Sequence, residues 1–153
     1  MPESLRTKLA RWGFNVFPAY WSTGARITYI ADDYREVRVE LPLSWRTRNY
    51  VGTIFGGSMY GAVDAVHIVV LIKNLGPDYI VWDKAASVRF RKPGRTKLYA
   101  HFTLPQEELD DISGELKSGG SIDRVYRVNL MDRAGTVHAE IGKTIHIRRR
   151  EAR

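Results

Sequence analysis

Followed by the spacing of its apolar positions, the chain opens on a short helix. Leu5, Leu9 and Trp12 fall on one helical stripe, with Pro2-Glu3-Ser4 as a polar entry. After the aromatic stretch Phe14 to Trp21, the period drops to two. Ala25 to Ala31 and Glu36 to Leu41 read as the strands of a hairpin around Asp32-Asp33-Tyr34-Arg35. In the second strand Val37, Val39 and Leu41 point one way, and Glu36, Arg38 and Glu40 the other. A polar loop, Ser44 to Tyr50, leads to Gly52 and a Phe55-Gly56-Gly57 turn. The spacing then predicts a helix from about Gly57 to Leu75, stopped by Gly76-Pro77. Its most apolar part, Met59 to Leu75, carries Asp64, His67 and Lys73 and is shorter than the roughly 20 residues that cross a bilayer, which makes it a buried helix. Four long strands follow: Asp78 to Arg91, Thr96 to Leu104, Ile122 to Met131 and Thr136 to Arg149. Turns at Lys92-Pro93-Gly94-Arg95 and Asp132-Arg133-Ala134-Gly135 join them in pairs. Pro105 to Ser121, acidic and then rich in glycine and serine, reads as a short exposed helix or an insertion loop.

The order is therefore helix, two strands, one long apolar helix, four strands. A lone helix that is apolar on nearly all sides has to be wrapped, and a strongly curved antiparallel sheet of about six strands does so. That is an α+β hot-dog fold. A helix lying on a flatter sheet is the structural alternative. The length, 153 residues, suits one domain. Within it, residues 1–22 form a helical and aromatic lead-in and residues 105–121 an insertion.

Composition narrows the chemistry. The chain has no cysteine, which excludes disulfides, thiolate metal sites and a cysteine nucleophile and fits a reducing cytoplasm. Charges interrupt the first residues and no apolar run follows, so they do not read as a signal peptide. The net charge of +7 suits a negatively charged partner: the phosphates of coenzyme A, nucleic acid or an anionic membrane surface. A basic surface that is merely solvated gives the same number. No nucleic-acid recognition motif is present, and no membrane insertion is expected.

The informative stretch runs from Asn49 to Asp64. Gly56-Gly57 at a helix entry lets another molecule approach the backbone, where free N–H groups and the positive end of the helix dipole can polarise a carbonyl. A tight turn explains the same pair without any function. Asp64 lies among Ala62, Val63, Ala65, Val66, Ile68, Val69 and Val70, where a carboxylate is costly unless paired or wet. Desolvation raises the pKa of such a group and suits it to act as base or nucleophile. A structural aspartate bonded to nearby backbone or to a tyrosine is the plainer alternative. Gly57 and Asp64 are seven residues apart, about two turns or roughly 10 Å along the axis. A carbonyl held at Gly57 is then out of reach of Asp64 in the same chain. The pair works together only if a second copy of the helix runs antiparallel, so the spacing asks for a two-fold dimer with shared sites.

The spacing Asn49, Gly52, Phe55, Gly56-Gly57, Asp64 resembles that of PaaI-type hot-dog acyl-CoA thioesterases. Gly52 to Tyr60, Tyr79 to Lys84 and Arg89 to Gly94 are more similar still to a hot-dog family known only as a domain of unknown function, and the likeness runs from about Thr23 onward. The resemblance implies that the Gly57 N–H receives the thioester carbonyl, that Asp64 of the other subunit is general base or nucleophile, and that Asn49 positions water or substrate. Phe55 departs from it, standing where PaaI-type enzymes usually carry histidine. Asp83 falls about where some relatives place a serine in the site, with Lys84 beside it.

The remaining candidates are simpler. His67, one turn after Asp64, could form a metal half-site with it, but no further ligands stand at a fitting spacing; a core or dimer-interface histidine is the alternative, and no metal is expected. His101, His138 and His146 read as surface residues on strands. Arg89, Arg91, Lys92, Arg95 and Lys97 gather at one hairpin and could hold the phosphates of coenzyme A, or simply form an exposed face. Two functions follow: hydrolysis of an acyl-CoA or similar thioester by a homodimer, possibly a tetramer of two dimers, or a non-catalytic module that binds the same ligand. A hydratase would want a histidine in the helix, where only His67 is available.

Overall fold

The computed structural model describes residues 1–151. Helix α1 (Leu5–Val16) begins at Ser4, whose hydroxyl accepts from the Thr7 N–H while Thr7 Oγ1 accepts from the Ser4 N–H, a reciprocal cap. A one-turn helix α2 (Pro18–Trp21) follows, then β1 (Arg26–Ile30) and β2 (Glu36–Leu41). Two helical segments come next, α3 (Gly56–Asp64) and α4 (Val66–Leu75). The chain ends with β3 (Tyr79–Phe90), β4 (Leu98–Thr103), α5 (Gln106–Glu115), β5 (Ser121–Met131) and β6 (Val137–Arg149).

The six strands form one sheet in the order β1-β2-β4-β5-β6-β3, every neighbouring pair antiparallel. The sheet curls around α3 and α4, and its concave face meets them through Val39, Leu41, Leu98, Leu130, Ile141 and Ile145, packed on Ala62, Val63 and Leu71. This is the hot-dog fold expected from the alternation of periods. The segment Gly56–Leu75 is 20 residues long and apolar enough to span a bilayer by composition, yet here it is the filling of a sheet. Residues 105–121 fold mainly as α5, whose Leu109 and Ile112 are buried.

The long central helix is present over Gly56–Leu75, with a single turn residue, Ala65, between α3 and α4; beside that turn the Tyr20 hydroxyl donates to Ala62 O (2.9 Å) and Lys143 Nζ to Asp64 O (2.9 Å). The stripe on α1 does not face the core. Leu5, Leu9 and Trp12 point outward, while Thr7, Ala10 and Phe14 pack inward.

The inward docking of α1 covers one edge of the sheet. Asn15 donates to Ile27 O and accepts from Ile27 N, both at 2.8 Å, and Glu3 accepts from Ile30 N, so edge strand β1 has its outer backbone groups occupied. The opposite edge, β3, is left bare. From Trp82 to Ser87 every residue of it is exposed, as are Arg89 and Phe90.

Candidate functional site

The site begins on β6. Its inward-facing positions read Ala139, Ile141, Lys143, Ile145, Ile147, all buried, and the lysine among them has no exposed surface. An ammonium in that place must be neutralised. Lys143 Nζ lies 2.6 Å from Asp64 Oδ1, 2.8 Å from Asp83 Oδ2 and 2.9 Å from Asp64 O, so its three N–H groups all find acceptors; the Tyr60 hydroxyl oxygen stands at 3.3 Å. A bulge in β3 between Asp83 and Ala85 sets the register at which Asp83 meets β6. Tyr60, one turn before Asp64 on α3, donates to Asp64 Oδ1 at 2.7 Å. Both donors therefore hold the same oxygen of Asp64. Its other oxygen, Oδ2, has no partner among the described residues, and the side chain is 45 % exposed.

Partial burial pulls the Asp64 carboxyl up, but the donors Lys143 and Tyr60 outweigh it and hold the group below the usual carboxylate range. The expectation that desolvation would raise this pKa is thus corrected: Asp64 is a firmly ionised carboxylate. For Lys143, burial pulls down while Asp64, Asp83 and Tyr60 pull up, and the carboxylates win. Burial, with the Lys143 charge close by, drives the His67 imidazole down to about 4. His67 stacks on Tyr126 and meets Phe102 edge-on, and its Nδ1 is buried without a hydrogen-bond partner. Among the described residues no group of three His, Asp or Glu side chains could hold a metal ion.

Asp64 also sits on the wall of an apolar cavity of about 400 Å³ enclosed by the N-terminal helices, the β1–β2 hairpin and α3–α4. Phe14, Phe17, Tyr20, Ile30, Val37 and Val69 line it, and Asp64 is its one ionised group. Gly61 is there for closeness: a Cβ on it would come within 2.7 Å of Thr23 Cγ2.

Gly56 and Gly57 open α3, after Phe55 as its cap residue. The Ser58 and Met59 N–H groups both donate to Phe55 O, which leaves the two glycine N–H groups with no acceptor among the described residues. Aromatic rings crowd them. A Cβ on Gly57 would meet the Phe55 ring at 2.4 Å, and one on Gly56 the Phe90 ring at 2.9 Å. Beside Gly56 lies a second cavity of about 410 Å³, lined by Asn49, Met59, Phe90, Arg91 and Lys92 among others. Asn49 braces its own loop, donating to Thr53 Oγ1 and accepting from the Val51 and Thr53 N–H groups.

Within one chain the structure thus brings Asp64 and Asp83 together through Lys143, and gathers Asn49, Gly56 and Arg91 around another cavity. Asp64 lines the first of these cavities, and Gly57 lines neither of the two. Lys84 turns away to Asp123 (2.7 Å). Arg91 pairs with Glu140 and Lys97 with Glu40, whereas Arg89, Lys92 and Arg95 have no carboxylate partner among the described residues. His101 and His146 pair with Glu36 and Asp123. His138, read from sequence as a surface residue, is buried between Pro93 O and Asp132. Lys143 and Tyr60 escaped the sequence reading. The first is visible as the one charge in an apolar alternation, the second as a phenol one turn from the aspartate.

Residues 6–147 match the family described as Domain of unknown function DUF4442. The chain belongs to that family. Among solved structures, a Pseudomonas aeruginosa protein described as "of Unknown Function PA5026 … Probable Thioesterase" is similar over 98% of this chain and 99% of its own, with 21% identity and a TM-score of 0.82. Thioesterase HI1161 from Haemophilus influenzae covers 95% of this chain and 92% of its own at 13% identity and a TM-score of 0.69. Mouse thioesterase superfamily member 2 covers 94% and 98% at 17% identity and a TM-score of 0.65. At these identities the likeness establishes the fold, which is that of the hot-dog thioesterases. No curated protein matches the sequence.

Proposed function

We propose that this DUF4442 protein hydrolyses an acyl thioester, with coenzyme A as the thiol, and that Asp64 carries the reaction. One observation supports this above the others. Lys143 and Tyr60 anchor Asp64 Oδ1 and leave Oδ2 without a partner among the described residues, and Asp64 is a wall residue of an apolar cavity fit for an acyl group. A carboxylate with a lowered pKa is a weak base but is ionised at neutral pH, so direct attack suits it better than proton abstraction. Oδ2 would add to the thioester carbon, the C–S bond would break, and the thiolate would take a proton from water. Water would then cleave the acyl–aspartyl anhydride, returning the carboxylate and releasing the acid. The Gly57 N–H would hold the oxyanion. Arg91 and Lys92, which line the cavity beside Gly56, and Arg89, two residues before Arg91, suit the phosphates of coenzyme A.

The Gly57 of this reaction would come from a second subunit. A twelve-residue edge strand left bare beside a covered one favours pairing of two β3 strands about a two-fold axis. Asn49 would position substrate from its braced loop, and Asp83 would act through Lys143.

The rival reading, a binding module without turnover, rests on Phe55, whose ring shields the Gly57 backbone where a polar group would assist the carbonyl. A panel of acyl-CoA thioesters with free-thiol detection separates the two. Hydrolysis predicts thiol release from some members by the wild type, reduced on the order of 10³-fold or more in Asp64→Asn, the scale of losing a catalytic carboxylate or oxyanion donor. Saturable binding of an acyl-CoA with no thiol release by the wild type would leave the binding module.

A further inference from the structure

Helix α1 is amphipathic in the reverse of the usual sense. At 100° per residue Leu5, Leu9, Trp12 and Val16 lie within one narrow stripe. They are 74 %, 64 %, 67 % and 49 % exposed, and Phe17 and Trp21 continue the apolar surface at 61 % and 49 %. An apolar band of this size in open solvent marks an interaction surface. Its borders are cationic. Arg6 and Lys8 flank the stripe on either side and are both exposed, and the guanidinium of Arg46 rests over the Trp21 ring. No acidic residue lies in α1 or α2. The nearest carboxylates are already engaged, Glu3 with Arg11 and Asp32 with Arg6 itself.

We propose that α1 and α2 dock this protein on an anionic lipid surface. Aromatic and leucine side chains on the outer face, cations at the margin and no acid between them are the chemistry that seats a helix at a headgroup boundary. The inner faces of the same two helices add a second reason. Phe14 and Tyr20 line the apolar cavity, and Phe17, between the helices, reaches both the cavity and the outer surface. Docking would bring the roof of that cavity against lipid, so that an acyl ligand could pass between them without crossing water. The docking itself does not depend on thioester hydrolysis.

The test uses the full chain and two sets of vesicles, phosphatidylcholine alone and phosphatidylcholine mixed equally with phosphatidylglycerol, in co-sedimentation at low salt. The expected result is binding to the anionic vesicles only, released on the order of 1 M salt where screening is nearly complete. Arg6→Gln with Lys8→Gln should weaken it by about twenty-five-fold, from roughly fivefold for each basic group at such a surface. Leu9→Asp with Trp12→Ser should abolish it. Those side chains are exposed, so the thermal midpoint should hold and separate lost docking from lost folding. Absence of wild-type binding to the anionic vesicles, or unchanged binding by Leu9→Asp/Trp12→Ser, overturns the proposal. Light scattering supplies the remaining arm: if these substitutions lower the molecular mass of the wild-type assembly and vesicles are not bound, the face belongs to a second copy of the chain.

Discussion

Replacing Lys143 by methionine keeps an unbranched side chain of similar length and removes the charge. Breaking a buried ion pair from one side costs about 3–5 kcal/mol when the orphaned partner stays dry. Here the orphans are Asp64 and Asp83, whose side chains are 45 % and 36 % exposed, so water takes over much of the lost bonding. The cost should fall to about 1–3 kcal/mol, a drop in Tm of roughly 3–10 °C for a chain of this size. Asp64→Asn with Asp83→Asn does the opposite. It strands an ammonium with no exposed surface, and the full figure of about 3–5 kcal/mol applies. The order of the two, read from urea melts followed by circular dichroism, is the prediction. The gap between wild type and Lys143→Met also has a pH signature. Asp64 has a lowered folded pKa, so its share is present above about pH 4 and is lost as pH falls through the folded value; Lys143 has a raised one, so its share is present below about pH 10 and is lost as pH rises through the folded value. The gap should be flat near neutrality and narrow at both ends. A Lys143→Met protein less stable than the double asparagine variant would refute the reasoning.

Two further outcomes are expected. His67 is held neutral down to about pH 4 in the fold but protonates near 6.5 when unfolded, so it should remove about 2 kcal/mol of stability between pH 7 and pH 5; His67→Phe should lose that slope, and an unchanged slope counts against it. Light scattering should give a dimer, and mixing Asp64→Asn chains with Gly57→Trp chains should restore about a quarter of wild-type thiol release, because a quarter of randomly assembled sites draw both intact residues from different chains; no recovery after verified subunit exchange places the site within one chain.

The fold was legible because two periods, 3.6 and 2, are written without conflict along most of the chain. β2 occupies the residues its alternation marks, and β5 and β6 shift by only a residue at their starts. What escaped depends on contacts between distant segments. The turn at Ala65 has no local signal, since neither glycine nor proline stands there; the donors to the carbonyls just before it, Tyr20 and Lys143, lie 42 and 79 positions away from them. The stripe on α1 was visible, but not its direction. Thr7 and Asn15, polar by composition, face inward because their groups are spent on the cap and on the edge of β1. Asp64 was visible as a misplaced charge, and the sign of its pKa shift was not, because that sign belongs to a lysine on the last strand.

Three features of the central helix thus meet at Lys143. It donates to the Asp64 carbonyl beside the turn at Ala65, binds Asp64 Oδ1 and keeps the carboxylate ionised, and adds its charge to the burial that holds His67 neutral. Stability alone is a poor reason for that lysine. An ammonium in a strand of isoleucines costs several kcal/mol in desolvation that its partners only repay, and an apolar triad of similar volume would hold the core as well or better. What an apolar triad would lack is a carboxylate fixed by one oxygen, with the other unpartnered among the described residues, on a residue that lines an apolar cavity. Bonding of Asp64 through a tyrosine and a lysine is therefore not a sign that the aspartate is merely structural. Both donors converge on Oδ1, whose two lone pairs suffice for them, so those of Oδ2 stay free of protein donors among the described residues.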